Sequence, residues 1–138
     1  MTHIEFIFNV IDKTKLAIDL TERLIRGNRS ALIYFKDQSA IDDFSLALLE
    51  KELFMPHLIE ENAFLNKLSL TQSKLDLMDD TLINFTFKEI QGFSRYLKMY
   101  ELVGHDDEDK NSARERYRFY KDCGYQVDSI DASNLVFN

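Results

Sequence analysis

The first half of the chain alternates between short apolar runs and longer segments with helical periodicity. His3–Val10 and Ala31–Asp37 are short and rich in apolar and aromatic side chains, which is typical of buried strands. The segment between them repeats leucine at every fourth residue, with Asp12 or Thr14 suited to its N-cap and Gly27 to its end. This pattern predicts an amphipathic helix between two strands.

A second helix is predicted directly after the second strand. Ser39 is positioned as its N-cap, and Ile41, Phe44 and Leu48 share one face. Strand, helix, strand and helix in this order are the pattern of a parallel sheet covered by helices. The predicted fold class is therefore α/β, a Rossmann-like three-layer fold with a mostly parallel central sheet.

The second half of the chain predicts shorter elements and one long helix. Residues 88–96 favour one or two helical turns, and the long helix runs from about Asp107 to Cys123, with Gly124 as its terminator. The following tail has no strong period, and no repeat or domain boundary is visible, so residues 1–138 are expected to form one domain. Further strands are predicted in KLSLTQ, DTLINFTF and Leu97–Val103.

Composition indicates a soluble globular protein. Hydrophobic residues make up 45% and charged residues 30% of the chain, and no apolar run approaches the ~20 residues of a membrane helix. The N-terminus lacks the features of a signal peptide. Cys123, the single cysteine, excludes a disulfide framework within the chain and is expected to be a small buried residue. We therefore expect a cytoplasmic protein.

Several kinds of chemistry lack their motifs in this sequence. The first strand-to-helix turn, FNVIDKTKLA, contains no glycine, so a backbone cradle for a pyrophosphate is absent, and a nucleotide-binding enzyme is only an alternative. His3, His57 and His105 have no second histidine or cysteine at a ligand spacing, so no metal site is predicted. The run HDDEDK is better suited to a helix start than to a calcium loop. No cofactor and no catalytic residue are expected.

The segment SARERYRFYKDCGY concentrates positive charge in a chain whose formal net charge is −7. At roughly 100° per residue, Ala113, Tyr117 and Tyr120 face the core, whereas Phe119 points outward. A row of cations occupies the next face, with Tyr117 at its border: Arg114, Arg118 and Lys121.

Three interpretations of this basic face are open from the residues alone. Arginine forks beside an apolar pocket suit a short acidic peptide with a hydrophobic end, especially a C-terminal carboxylate. From the pattern alone, a solvated helix face with its arginines paired to acids such as Glu108 is favoured, because charge stripes on surface helices are common. Cations and aromatics also suit single-stranded nucleic acid, although the net negative charge disfavours it.

The same helix carries a family resemblance. Ala113–Tyr117 reads ARERY, Tyr120 follows three residues later, and Gly124 precedes an aromatic residue. An F-x-P-H element, Phe54–His57, follows the second helix. In these motifs, and in the order of elements over nearly the whole chain, the sequence resembles the chi subunit of bacterial DNA polymerase III holoenzyme.

The resemblance implies a Rossmann-like fold without nucleotide chemistry and a non-enzymatic adaptor. Members of this family bind the acidic C-terminal tail of single-stranded-DNA-binding protein, which ends in phenylalanine. They also bind the psi subunit, which connects them to the clamp loader, so contact with DNA would be indirect. No motif in this sequence matches the residues that would hold psi.

The resemblance also implies where the tail would bind. Phe54, from the F-x-P-H element, is a candidate for the wall of a pocket that would hold the end of the tail. The basic face of the long helix adds Arg118 and Lys121, which would attract the aspartates of the tail. In this interpretation the terminal carboxylate pairs with the first arginine of the ARERY stretch, and the terminal ring enters the pocket. The tail-binding residues of the family carry over to three positions: Arg114, Tyr117 and Val103.

Overall fold

The computed structural model describes residues 1–50, 58–59, 68–71, 80–86 and 88–135 of the chain. Two short 3₁₀ helices, Phe93–Arg95 and Ala132–Asn134, lie in the second half. The strands and α-helices are β1 (His3–Val10), α1 (Lys13–Arg26), β2 (Ala31–Tyr34), α2 (Gln38–Glu50), β3 (Leu58–Ile59), β4 (Leu68–Thr71), β5 (Thr81–Asn84), β6 (Lys98–Gly104), α3 (Asp107–Asp122) and β7 (Gln126–Asp131).

The strands form one sheet of seven in the order β3-β4-β2-β5-β6-β1-β7. Every described pair of neighbouring strands is parallel. β1 lies between β6 and β7, so both of its edges are paired. The α/β class and the parallel sheet predicted from the alternation of strands and helices are therefore confirmed.

Helices cover both faces of the sheet because alternate strand residues point in opposite directions. On one face, Ile7, Ile33 and Leu102 join the core beneath α1 and α2. On the other face, Phe6 and Val103 belong to the core beneath α3. The described elements form three layers, and α3 is the α-helix that the described residues place on this second face.

The ends of α1 lie where the sequence predicts them, but the start of α2 does not. Asp12 caps α1 by accepting a hydrogen bond from the backbone N–H of Lys15 at 3.1 Å. α2 begins at Gln38, and the Asp37 carboxylate accepts from the N–H of Ala40 at 2.9 Å. Ser39 is therefore not the N-cap, because it lies inside the first helical turn.

Two predictions for the C-terminal part are also corrected. Residues 126–131 form β7, although the sequence showed no period there, because an edge strand with Val127 as its one fully buried side chain has no apolar alternation. Cys123 is exposed rather than buried, since the chain turns away after α3 at Gly124, whose φ is +90°. Phe119 points outward as predicted and is 43% exposed.

None of the described helices is long and apolar enough to cross a membrane. The F-x-P-H element, including Phe54, lies outside the described residues.

Candidate functional site

A pocket of about 360 Å³ lies between α3 and the sheet, beside the second half of β1. Val103 from β6 and Arg114 and Tyr117 from α3 all line it. Arg114 and Tyr117 are neighbours on one face of α3, and the fold brings Val103 of β6 to them. Arg118 and Lys121 are exposed on α3 but are not among the residues that line the pocket.

Aromatic rings and small side chains build the apolar floor of this pocket. The ring of Tyr117 packs on Phe6 from β1, with 5.4 Å between centroids and 57° between planes. Phe8, two residues further along the same strand face, lines the pocket and is 36% exposed. Ala113 leaves room because its side chain is a single methyl group. The floor can therefore receive an apolar side chain.

Two cations line the pocket from one face of α3. Lys110 and Arg114 are four residues apart, one helical turn, so their side chains project in the same direction. The Arg114 guanidinium donates to the Asn111 side-chain oxygen at 3.0 Å. This partner is a neutral amide and not the Glu108 carboxylate that the solvated-face interpretation named.

Lys121 is close to the site without entering it. Its ammonium group lies 5.8 Å from the centroid of the Tyr117 ring. A cation at this distance from an aromatic face is attracted to the ring. Lys121 thus adds positive charge beside the Tyr117 ring, outside the pocket.

A buried polar network sets the rotation of α3 and with it the position of the pocket residues. Glu101 of β6 is fully buried and accepts from Tyr120 Oη at 2.8 Å and from Asn84 Nδ2 at 2.8 Å. The Arg116 guanidinium, also buried, lies 3.3 Å from the same carboxylate and donates to Ser112 Oγ at 2.6 Å. Arg116 therefore faces inward and leaves Arg114 and Tyr117 at the pocket.

Burial controls the titration of this network. Desolvation raises the pKa of Glu101, although the charge of Arg116 opposes the shift. Desolvation and the adjacent Glu101 carboxylate likewise raise the pKa of the Tyr120 phenol, so it remains a hydrogen-bond donor. A glutamate in the middle of the apolar strand LKMYELV was the sequence signal for this network.

A second buried acid holds the start of α3. Asp109 is 1% exposed, pairs with the Lys13 ammonium at 2.7 Å and accepts from the backbone N–H of Gly104 at 2.8 Å. These contacts join the N-terminus of α3 to the start of α1 and the end of β6. The acidic side chains of the first turn of α3 thus have two effects. They interact favourably with the helix dipole, and Asp109 also holds this turn against α1 and β6.

An irregularity in β1 shapes the rim of the pocket. The register between β1 and β6 shifts between Ile7 and Val10, and Asn9 adopts a left-handed conformation with φ of 59°. Its side-chain amide donates to Asp131 Oδ2 at 2.9 Å, which stabilises that conformation. Asn9 lines the pocket together with Ser129 of the neighbouring strand β7.

Sequence reasoning missed much of the lining. Lys110 lies four residues before Arg114, so an extended helix projection would have found it. Phe6, Phe8 and Asn9 could not be assigned to a pocket from their positions in β1, because that requires the pairing of β1 with β6 and β7.

The arrangement is suited to binding a small apolar group beside cations. No group of three or more potential metal ligands occurs within the described part of the chain. An apolar floor with cations at one side complements a ligand that joins an apolar group to a carboxylate.

Comparisons with known proteins concern the family and the fold of this chain. The family profile described as DNA polymerase III chi subunit, HolC, matches residues 1–128. A comparison with curated proteins finds no match. Among solved structures, the C-terminal domain of the DEAD-box protein Dbp5 has a TM-score of 0.65 at 13% identity, covering 97% of this chain and 92% of that chain. A variant of the same domain from S. cerevisiae, bound to Gle1 and IP6, has a TM-score of 0.61 at 12% identity, covering 95% and 90%. At this identity the structural likeness concerns the fold alone.

Proposed function

The chain belongs to the chi subunit family of DNA polymerase III, and from that membership and the pocket beside α3 we propose that it is a non-catalytic adaptor. In this role it binds the acidic C-terminal tail of single-stranded-DNA-binding protein and links that protein to the clamp loader through the psi subunit. The observation that carries the proposal is the convergence of Val103, Arg114 and Tyr117 on one pocket.

The pocket has the size and polarity for the last residue of such a tail. Its volume of about 360 Å³ is at the small end of the roughly 300–1,000 Å³ of ligand pockets, which suits one aromatic side chain better than a large ligand. A terminal phenylalanine ring would lie between Val103 and Tyr117. Its carboxylate would reach the guanidinium of Arg114, with the Lys110 ammonium one helical turn away.

The exposed face of α3 would receive the rest of the tail. Arg118 and Lys121 continue the row of cations beyond the pocket, so they would attract aspartates that precede the terminal residue. Exposed charges act mainly by long-range attraction, and salt therefore weakens binding by screening. Phe54, outside the described residues, remains a proposed contact from the family motif alone.

The expected affinity is moderate. A charge-assisted hydrogen bond contributes about 1.5–3 kcal/mol, and burial of a phenylalanine side chain contributes about 1.5–3 kcal/mol. Together these give about 3–6 kcal/mol before the cost of ordering the peptide. Micromolar binding, near −8 kcal/mol, therefore also requires the attraction of the tail's aspartates to Arg118 and Lys121. Such a contact can release and re-form during replication.

Calorimetry with a synthetic tail peptide tests the assignment. Arg114→Ala should weaken binding by at least tenfold, because the terminal carboxylate loses its partner. Arg26→Ala removes the same charge from α1, where the exposed guanidinium pairs with Glu22, and should leave binding unchanged. A peptide without its last phenylalanine should not bind. Equal affinity of Arg114→Ala and the parent protein would show that the site is misassigned.

The link to the clamp loader rests on the family and needs a separate test. A pull-down from cell lysate should recover single-stranded-DNA-binding protein and clamp-loader subunits together. Arg114→Ala should lose the former and retain the latter, since the two partners would use different surfaces. Loss of both with an intact fold would contradict this division.

A further inference from the structure

A second groove, of about 510 Å³, opens at the carboxyl edge of the sheet and shares no described lining residue with the pocket beside α3. β2 and β5 are adjacent, but the chain continues from β2 through α2 toward β3 and β4, and from β5 toward β6. Connections that leave neighbouring parallel strands in opposite directions create a crevice, and ligands of open α/β sheets bind at such points. The groove lies there, and most of its lining residues are at the end of β2 or follow β2 and β5, with Lys13 of α1 beside them.

Positive charge is concentrated in this groove although the chain is acidic overall. Among the described residues that line it, three are lysines, Lys13, Lys36 and Lys88, and one is a carboxylate, Glu89. Lys13 is held by Asp109 at 2.7 Å. Within the described residues, the exposed ammonium groups of Lys36 and Lys88 form no ion pair with a carboxylate. Two lysines are therefore available to an incoming anion.

The loop that carries Lys88 is held in place from the core. Buried Asn84 donates to the backbone carbonyl of Lys88 at 2.8 Å, and the Thr86 hydroxyl accepts from the N–H of Lys88 at 3.1 Å. The same Asn84 amide accepts at its oxygen from Thr86 Oγ1 at 2.7 Å. These bonds order the backbone of Lys88 before any ligand arrives, which lowers the entropy cost of binding.

Two aromatic side chains line the groove beside the lysines. Tyr34 and Phe85 are half-buried and both line the groove. The Phe85 ring is fixed by Phe35 and Phe44, at 5.1 Å and 5.9 Å between centroids. Fixed rings beside cations suit a flat base that is joined to a phosphate.

We propose that this groove, which we call the switch-point groove, binds a nucleoside monophosphate, with the phosphate between Lys36 and Lys88 and the base against Tyr34 and Phe85. A monophosphate carries about two negative charges, which two ammonium groups can match. Since the turn after β1 has no glycine, the lysines rather than a backbone cradle hold the phosphate. The groove binds and does not catalyse, and its occupancy is independent of the proposed adaptor site.

Titration with 2′-deoxyadenosine 5′-monophosphate, followed by calorimetry and amide chemical shifts, tests the proposal. We expect shifts around Lys36 and Lys88 and none at Val103 or Arg114. The double variant Lys36→Gln/Lys88→Gln should weaken binding at least tenfold. A matched double variant on α1, K15Q/R26Q, removes the same charge and should change affinity less than twofold.

Titrations with further ligands distinguish a free nucleotide from a nucleic-acid end as the occupant of the groove. Deoxyadenosine should bind at least tenfold more weakly than its monophosphate. A 5′-phosphorylated deoxyadenosine tetranucleotide that binds more tightly than the mononucleotide would assign the site to a nucleic-acid end, and equal or weaker binding would assign it to a free nucleotide. Saturating tail peptide should leave the affinity unchanged, so failure of either site is recognised separately. Unaltered binding by the double variant, equal binding of deoxyadenosine, or no binding at millimolar nucleotide would overturn the proposal.

Discussion

Replacing Arg116 by methionine tests whether the buried network sets the stability of α3 against the sheet. The substitution keeps most of the side-chain volume and removes the positive charge beside Glu101. The Glu101 carboxylate, 0% exposed, would keep its hydrogen bonds from Tyr120 and Asn84, both at 2.8 Å. It would lose the only cation that the described residues place at it.

The expected loss follows from this geometry. Removing one partner of a buried ion pair costs about 3–5 kcal/mol of the free energy of unfolding. The Arg116 nitrogens lie 3.3 Å and 3.5 Å from the Glu101 oxygens, which is long for a charge-assisted bond, and two other donors remain. We therefore expect a loss near the lower limit, about 3 kcal/mol, or a Tm lowered by roughly 10 °C for a domain of this size.

The loss should also depend on pH. Burial already raises the pKa of Glu101 above its ordinary value of 4.5, and Arg116 opposes that shift. Without Arg116 the folded-state pKa rises further, so the variant can relieve the buried charge by binding a proton. A group with a raised folded-state pKa stabilises the protein at low pH and loses that contribution as pH rises. The cost of Arg116→Met should therefore be smaller at pH 5 than at pH 8.

Urea unfolding followed by circular dichroism at both pH values measures these quantities. The double variant Arg116→Met/Glu101→Gln should recover much of the loss, because it removes the unpaired charge as well. A loss below about 1 kcal/mol at pH 8, or the same loss at both pH values, would refute the argument that Arg116 compensates a charged Glu101.

Two further predictions concern exposed or strained positions. Gly124→Ala should lower the free energy of unfolding by about 1 kcal/mol, because φ is +90° and no atom lies within 4 Å of the added methyl group, so strain alone acts; thermal unfolding that is unchanged would contradict this. Asp80→Asn should cost about 1 kcal/mol at pH 7 in urea unfolding, since Arg29 is half-exposed and its pair with Asp80 is screened. The Arg29 hydrogen bonds lower the pKa of Asp80 below 3.8, so this stabilisation is present at higher pH and is lost as pH falls through the lowered pKa. A difference from the parent that does not decrease as pH falls below 3.8 would be inconsistent with that origin.

Local sequence patterns were sufficient to predict most of the described helices and strands. The cap at Asp12 and the stop at Gly124 are decided by neighbouring residues, through side-chain hydrogen bonds and a left-handed backbone. The α/β class follows because strand and helix periods alternate along the chain. By contrast, β7 could not be predicted, since an edge strand is defined by its pairing with β1 rather than by its own alternation.

For the candidate site, the sequence by itself determined that a row of cations and an aromatic border lie on one helix, because a helix repeats at a known angle. Only the tertiary structure decided which of these side chains meet a pocket. Arg116 turns inward because Glu101 of β6 lies beneath it. Arg114 instead lines the pocket with Val103 and Phe8, which the parallel pairing of the strands places there. These contacts join residues far apart in sequence, and their free energy depends on burial and distance that a linear pattern does not contain.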